Sequence, residues 1–148
     1  MRFIKKLLGI LPLSYANAHC DVPCGIYEPH AAQTAALTVQ TMVKKIKELE
    51  HPEKADHEKH DDYMNNLARM IWTKEEHARK CKEEILILWT DYFKPEHLEK
   101  WPDLHDIFWK TAKLCSQNKQ HVDEKLAQEL VDSVNHIADI FKESKASS

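Results

Sequence analysis

A chain of 148 residues, 43% apolar and 30% charged with only two glycines, suits one domain and excludes collagenous, low-complexity and disordered classes. Its formal net charge of −3 gives no broad electrostatic footprint for nucleic acid, and no run supplies the ~20 apolar residues that a membrane span needs. A chain this long buries a real core without disulfide staples, so its four cysteines are open to other uses.

Residues 1–18 read as a cleaved leader. Arg2, Lys5 and Lys6 form a basic start, Leu7 to Leu13 a short apolar run, and Ala16-Asn17-Ala18 an A-x-A cleavage signal. That order implies export, hence an extracytoplasmic location, periplasmic or secreted. Losing three of the 21 basic residues leaves 18 against 24 acidic ones, a net charge of −6 over residues 19–148. Cleavage after Ala18 makes His19 the new N-terminus.

After an irregular stretch holding Pro23, Gly25 and Pro29, apolar residues recur at Ala32, Ala35, Ala36, Val39, Met42, Val43, Ile46 and Leu49, the stripe of an amphipathic helix that Pro52 ends. A second stripe, Met64, Leu67, Ile71, Ala78, Cys81, Ile85, Leu88, Trp89 and Tyr92, predicts one long helix, weakest around Thr73 to Glu76. Pro95 and Pro102 bracket a turn. Leu104, Ile107, Phe108, Thr111, Leu114 and Cys115 make a third helix, and Leu126, Leu130, Val134, Ile137 and Phe141 a fourth. The expected fold is all-α, an antiparallel four-helix bundle with an irregular N-terminal hook and a frayed end from Ser144 to Ser148.

The hook concentrates chemistry. If His19 is a free N-terminus, its α-amine and imidazole, the Cys20 amide nitrogen and the thiolates of Cys20 and Cys24 place five donors within six residues. The amine and the Cys20 amide close one five-membered chelate ring; that amide and the Cys20 sulfur close another. Two nitrogens and two sulfurs in a plane suit Ni(II) or Cu(II) better than tetrahedral Zn(II), with the imidazole free to approach axially. Such strong donors favour a trivalent state. Two other readings stand beside this one: a local disulfide between Cys20 and Cys24, and a zinc site completed by another histidine.

The stretch HCDVPCGIYEP at residues 19–29 resembles the metal-binding hook of nickel superoxide dismutase, and Leu88-Trp89-Thr90-Asp91-Tyr92-Phe93-Lys94-Pro95 is similar to that family's second signature. The resemblance implies a helical bundle assembling as a homohexamer, one nickel ion per subunit, removal of a precursor segment by a maturation protease, and conversion of superoxide to oxygen and hydrogen peroxide. It implies His19, Cys20 and Cys24 as metal ligands. Asp21, Tyr27 and Tyr92 are implied as the polar surround of the open nickel face, with Lys94 adding positive potential at the entrance. There is one departure. Where the family holds the axial imidazole with a Glu on the first helix, paired with an Arg on the second, this chain has Ala35 and His77. Family members can also mature in the cytoplasm through a dedicated protease, the alternative to export.

Other residues read as structural. His51, His57, His60, Asp61 and Asp62 form a solvated helix start. Cys81 and Cys115 are small buried hydrophobes, and Trp72, Trp89, Trp101 and Trp109 belong to the core or to a subunit interface. The rival function is a non-catalytic exported nickel or copper carrier, distinguished by metal binding without superoxide consumption.

Overall fold

The structure is a computed structural model that describes residues 26–53 and 57–146. Among the described residues there are five α-helices: α1 (His30–Glu48), α2 (His57–Ile87), α3 (His97–Lys100), α4 (Leu104–Gln120) and α5 (Glu124–Ala146), with a π-helical turn at Leu88–Tyr92 continuing α2. There is no strand among the described residues. The four long helices form the expected bundle, in which α1 and α4 each pack against both α2 and α5. Side-chain pairs show the antiparallel run directly. Along α1 and α5 these are Gln33–Asn135, Gln40–Gln128 and Lys47–Glu124; along α2 and α4, Lys82–Ser116 and, past the end of α2, Trp89–His105.

The buried faces are those of the sequence stripes. Ala32, Ala35, Ala36 and Val39 of α1 meet Ala78, Cys81 and Ile85 of α2, and Phe108, Cys115, Leu130, Val134 and Ile137 fill the same core from α4 and α5. Alanine-rich faces let helix backbones approach closely, while the longer side chains opposite fill the space at interior density.

Two expectations about α2 are corrected. The helix runs without weakness through Thr73 to Glu76, because Lys74, 2% exposed, is tied to the end of α4. Its Nζ donates to the carbonyls of Asn118, Lys119 and His121 at 2.5, 2.8 and 3.2 Å. These are acceptors that a helix C-terminus leaves without intrahelical partners, and a cation there also complements the helix dipole. Burial pushes the Lys74 amine below the usual lysine value, against the neighbouring Glu75 carboxylate, which raises it. The same contact explains the second correction. Since α4 ends beside Lys74, the preceding half of α2 has no α4 to cover it, and Met64 and Ile71 of the predicted stripe are exposed.

Trp72 and Trp109 are also exposed and do not belong to the core of this subunit, whereas Trp89 and Trp101 pack against it. The bracketed turn between Pro95 and Pro102 contains the short α3. Ser144 to Ala146 are not frayed: α5 continues through them, and Ser144 is 2% exposed.

Candidate metal centre

His19, Cys20, Asp21 and Cys24 lie outside the described residues. What the structure gives is the root of the hook and the surface on which it stands. Tyr27 is half-buried between exposed Ile26 and Glu28, and α1 starts just beyond, with Gln33 N donating to the Pro29 carbonyl at 3.1 Å. The last turn of α5 holds this root. Lys145 Nζ donates to the Tyr27 carbonyl at 3.2 Å and pairs with Glu28 Oε1 at 3.1 Å, its ammonium lying 4.7 Å from the Phe141 ring centroid.

Tyr27 and Tyr92, 65 positions apart in sequence, come together with ring centroids 5.6 Å apart. The π-helical turn places Tyr92. Phe93 N reaches back to the Leu88 carbonyl at 3.1 Å, and Leu88 and Phe93, at the two ends of the widened turn, are buried. One extra residue per turn shifts the register of the side chains that follow, and π turns of this kind recur at functional sites. Tyr92 is then enclosed by aromatic rings: Phe141 at 4.5 Å, Phe93 at 4.9 Å edge-on, and His97 stacked at 5.8 Å. Its hydroxyl lies 2.7 Å from Ser144 Oγ.

Lys94 is exposed, and its backbone N–H donates to His97 Nδ1 at 2.9 Å, which fixes the start of the α3 segment. Ala35 is buried in the core, so no carboxylate stands at that position of α1. His77 is half-buried and its Nδ1 lies 2.9 Å from the Thr73 carbonyl; a carbonyl can only accept, so Nδ1 is the donor in this contact.

A recess of about 210 Å³ lined by Ile26, Glu28, Glu84, Ile87 and Leu88 adjoins the hook's root. A second recess, of about 350 Å³, lies on the Lys145 side of Glu28, and two larger ones, about 460 Å³ at the α1–α2 connection and about 650 Å³ beside Trp109, lie away from the root. His51, His60 and Tyr63 cluster at that connection, with the His51 and Tyr63 rings 4.8 Å apart. The side chain of His57 lies outside the described residues. Among the described residues no group of three His, Cys, Asp or Glu side chains could hold a metal ion, and the hook lies outside those residues. Its amine, amide nitrogen, imidazole and two thiolates fit nickel by donor chemistry.

Sequence reasoning missed Ser144 and Lys145 as neighbours of the site. A serine and lysine near a chain end carry no signal of their own. The regular spacing of Leu130, Val134, Ile137 and Phe141, continued by one turn, would have found Ser144 on the buried face.

Comparison with known proteins matches this frame. The family model of nickel-containing superoxide dismutase matches residues 14–145. The nickel superoxide dismutase of Streptomyces coelicolor is 34% identical over 134 residues, covering 90% of this chain and 93% of the relative; that of Streptomyces seoulensis is 32% identical over the same shares. Among solved structures, native nickel superoxide dismutase superposes with a TM-score of 0.71 at 34% identity, covering 86% of this chain and 99% of that one. The form with nickel ligation of the oxidised state gives 0.71 at 33% identity over the same shares. With one match running from ahead of the hook to the last turn of α5 and the same helical frame beneath it, the chain belongs to the nickel-containing superoxide dismutase family.

Proposed function

We propose that this member of the family disproportionates superoxide at a nickel ion held by its own hook, one ion per subunit, after cleavage following Ala18. The ligands are the amine and imidazole of His19, the amide nitrogen and thiolate of Cys20, and the thiolate of Cys24. The observation that carries the reading is the meeting of Tyr27 and Tyr92 at the hook's root, where Lys145 fastens the chain that leads to the ligands.

Nickel, when bound, supplies a one-electron couple between Ni(II) and Ni(III), so that one superoxide is oxidised to oxygen and a second, with two protons, leaves as hydrogen peroxide. The remaining work falls to the chain. The Cys20 and Cys24 thiolates donate electron density and must be kept from further oxidation by the peroxide product. Asp21, Tyr27 and Tyr92 order water and hold protons beside the hook. Exposed Lys94 provides local positive potential for an anionic substrate on an otherwise acidic chain. Ala35 leaves α1 without a carboxylate that could hold the His19 imidazole, so orientation of that ring would fall to other groups.

A homohexamer, a maturation protease and an extracytoplasmic location complete the proposal. The leader-like residues 1–18 support export, with cytoplasmic maturation by a dedicated protease as the alternative. The test is made on protein purified from its host: intact mass, N-terminal sequence, metal content, native mass and superoxide consumption on one sample. The expected result is a hexamer of chains starting at His19, with about one nickel each and active. Metal without superoxide consumption would return the carrier reading, and a retained Met1 would remove the amine ligand. Cys20→Ser and Cys24→Ser are each expected to lose nickel and at least ~100-fold of activity, by analogy with loss of a group whose interaction is realised in the reaction. Full activity with nickel bound in either variant overturns the ligand set.

A further inference from the structure

The last turn of α5 meets the site through a hydrogen bond whose direction the geometry fixes. Ser144 Oγ lies 2.7 Å from the Phe141 carbonyl, three residues back in the same helix, and 2.7 Å from the Tyr92 hydroxyl. A serine hydroxyl has one proton and two lone pairs. The Phe141 carbonyl can only accept, so the serine proton goes there. The Tyr92 phenol therefore donates to Ser144, and its own lone pairs are left to face the other way. The contact is buried on its serine side, Ser144 being 2% exposed, and the Tyr92 ring packs against Phe141 and His97.

We propose that Ser144 is a positioning residue for the reaction: by accepting the Tyr92 proton it presents the phenol to the hook as a hydrogen-bond acceptor. Tyr92 in that state receives a proton-bearing partner, water or the peroxide product, and does not compete to donate to it. The inference rests on the placement of Tyr92 in the polar surround of the nickel, and it assigns to a residue of α5 the control of that phenol's orientation. Lys145, beside it, holds the opposite wall by its bonds to Tyr27 and Glu28. One turn of helix thus sets both tyrosines.

The test uses mature protein beginning at His19, with Ser144→Ala, Ser144→Cys, Ser144→Thr, Tyr92→Phe and the Ser144→Ala/Tyr92→Phe double variant. Tyrosine labelled with carbon-13 at Cζ reports the hydrogen bonding of each phenol by NMR in the nickel-free protein, and the Tyr92 signal is the one missing in Tyr92→Phe. Ser144→Ala, and Ser144→Cys, which keeps the size but offers a poor acceptor, are expected to move the Tyr92 signal. Both should lower the dismutation rate of the nickel-loaded protein by about threefold to tenfold, the scale of one neutral hydrogen bond. Ser144→Thr, whose hydroxyl can still bond the preceding turn, should restore both readouts. In the Tyr92→Phe background Ser144→Ala should cost nothing further.

An unmoved Tyr92 signal in both Ser144→Ala and Ser144→Cys overturns the proposal, as does a rate loss that persists without the phenol. A wild-type rate in Tyr92→Phe overturns the role of Tyr92 itself; that failure is recognisable because the signal then still moves in Ser144→Ala with no change in rate.

Discussion

Cys81 and Cys115, both fully buried, face each other across α2 and α4 as free thiols. The hydrogen bond to Cys115 and then burial, with smaller contributions from the charges of Cys115 and Glu84, push the Cys81 thiol far above the usual cysteine value. The thiolate is the reactive form, so a protein that makes peroxide keeps this sulfur inert by denying it ionisation. In a Cys20→Ser/Cys24→Ser background no thiol should react with an aromatic disulfide reagent at pH 8 in the native state, and two should react on unfolding without reductant; fewer than two would reveal a disulfide. Their reading as small buried hydrophobes was legible from their place on the apolar stripes. Tyr27 and Tyr92 were legible only through the two signatures, because nothing in their spacing announces that they meet. The burial of Ser144 was within reach of the α5 stripe continued by one turn, but its bond to Tyr92 was not legible, because that partner is 52 positions away.

At the scale of elements, the start of α5 is set by one side chain. Asp123 Oδ1 accepts from Lys125 N at 2.8 Å and Leu126 N at 3.2 Å, an N-cap that satisfies two donors of the first turn. Those backbone N–H groups hold its carboxyl below the ordinary value of 3.8. A carboxyl depressed in the folded state contributes stability that is present above the unfolded value and is lost as pH falls through the folded one. Asp123→Ala should therefore lower Tm at pH 7 by roughly 3–6 °C, with the difference from wild type shrinking below about pH 4, followed by calorimetry across pH. The four long helices were legible because their apolar spacing is regular and prolines punctuate it. The extent of burial along α2 was not, since a stripe such as Met64, Leu67 and Ile71 shows a helix face without showing where its neighbour stops. The π turn also escaped, because a one-residue change of register is set by packing of Leu88, Tyr92 and Phe93 against the bundle and leaves the composition unchanged.

For the molecule as a whole, Lys74 joins three segments at one point: α2, the end of α4 and, through His121, the connection to α5. Lys74→Met keeps the length of the side chain but leaves three carbonyls with one fewer donor, and should destabilise the fold by about 2–4 kcal/mol, read from chemical denaturation. Asn118 shares this point, its Nδ2 donating to the carbonyls of Leu114 at 3.0 Å and Leu126 at 2.9 Å, so the end of the bundle away from the hook is pinned by side chains bonding to backbone. At the other end, the bond from Lys145 to Tyr27 joins residues 118 positions apart. Synthesis runs from the hook towards α5, so the root of the hook leaves the ribosome long before the turn that seats it exists. The turn that seats the root is made after the other helices of the bundle, and seating of the hook waits on completion of that bundle.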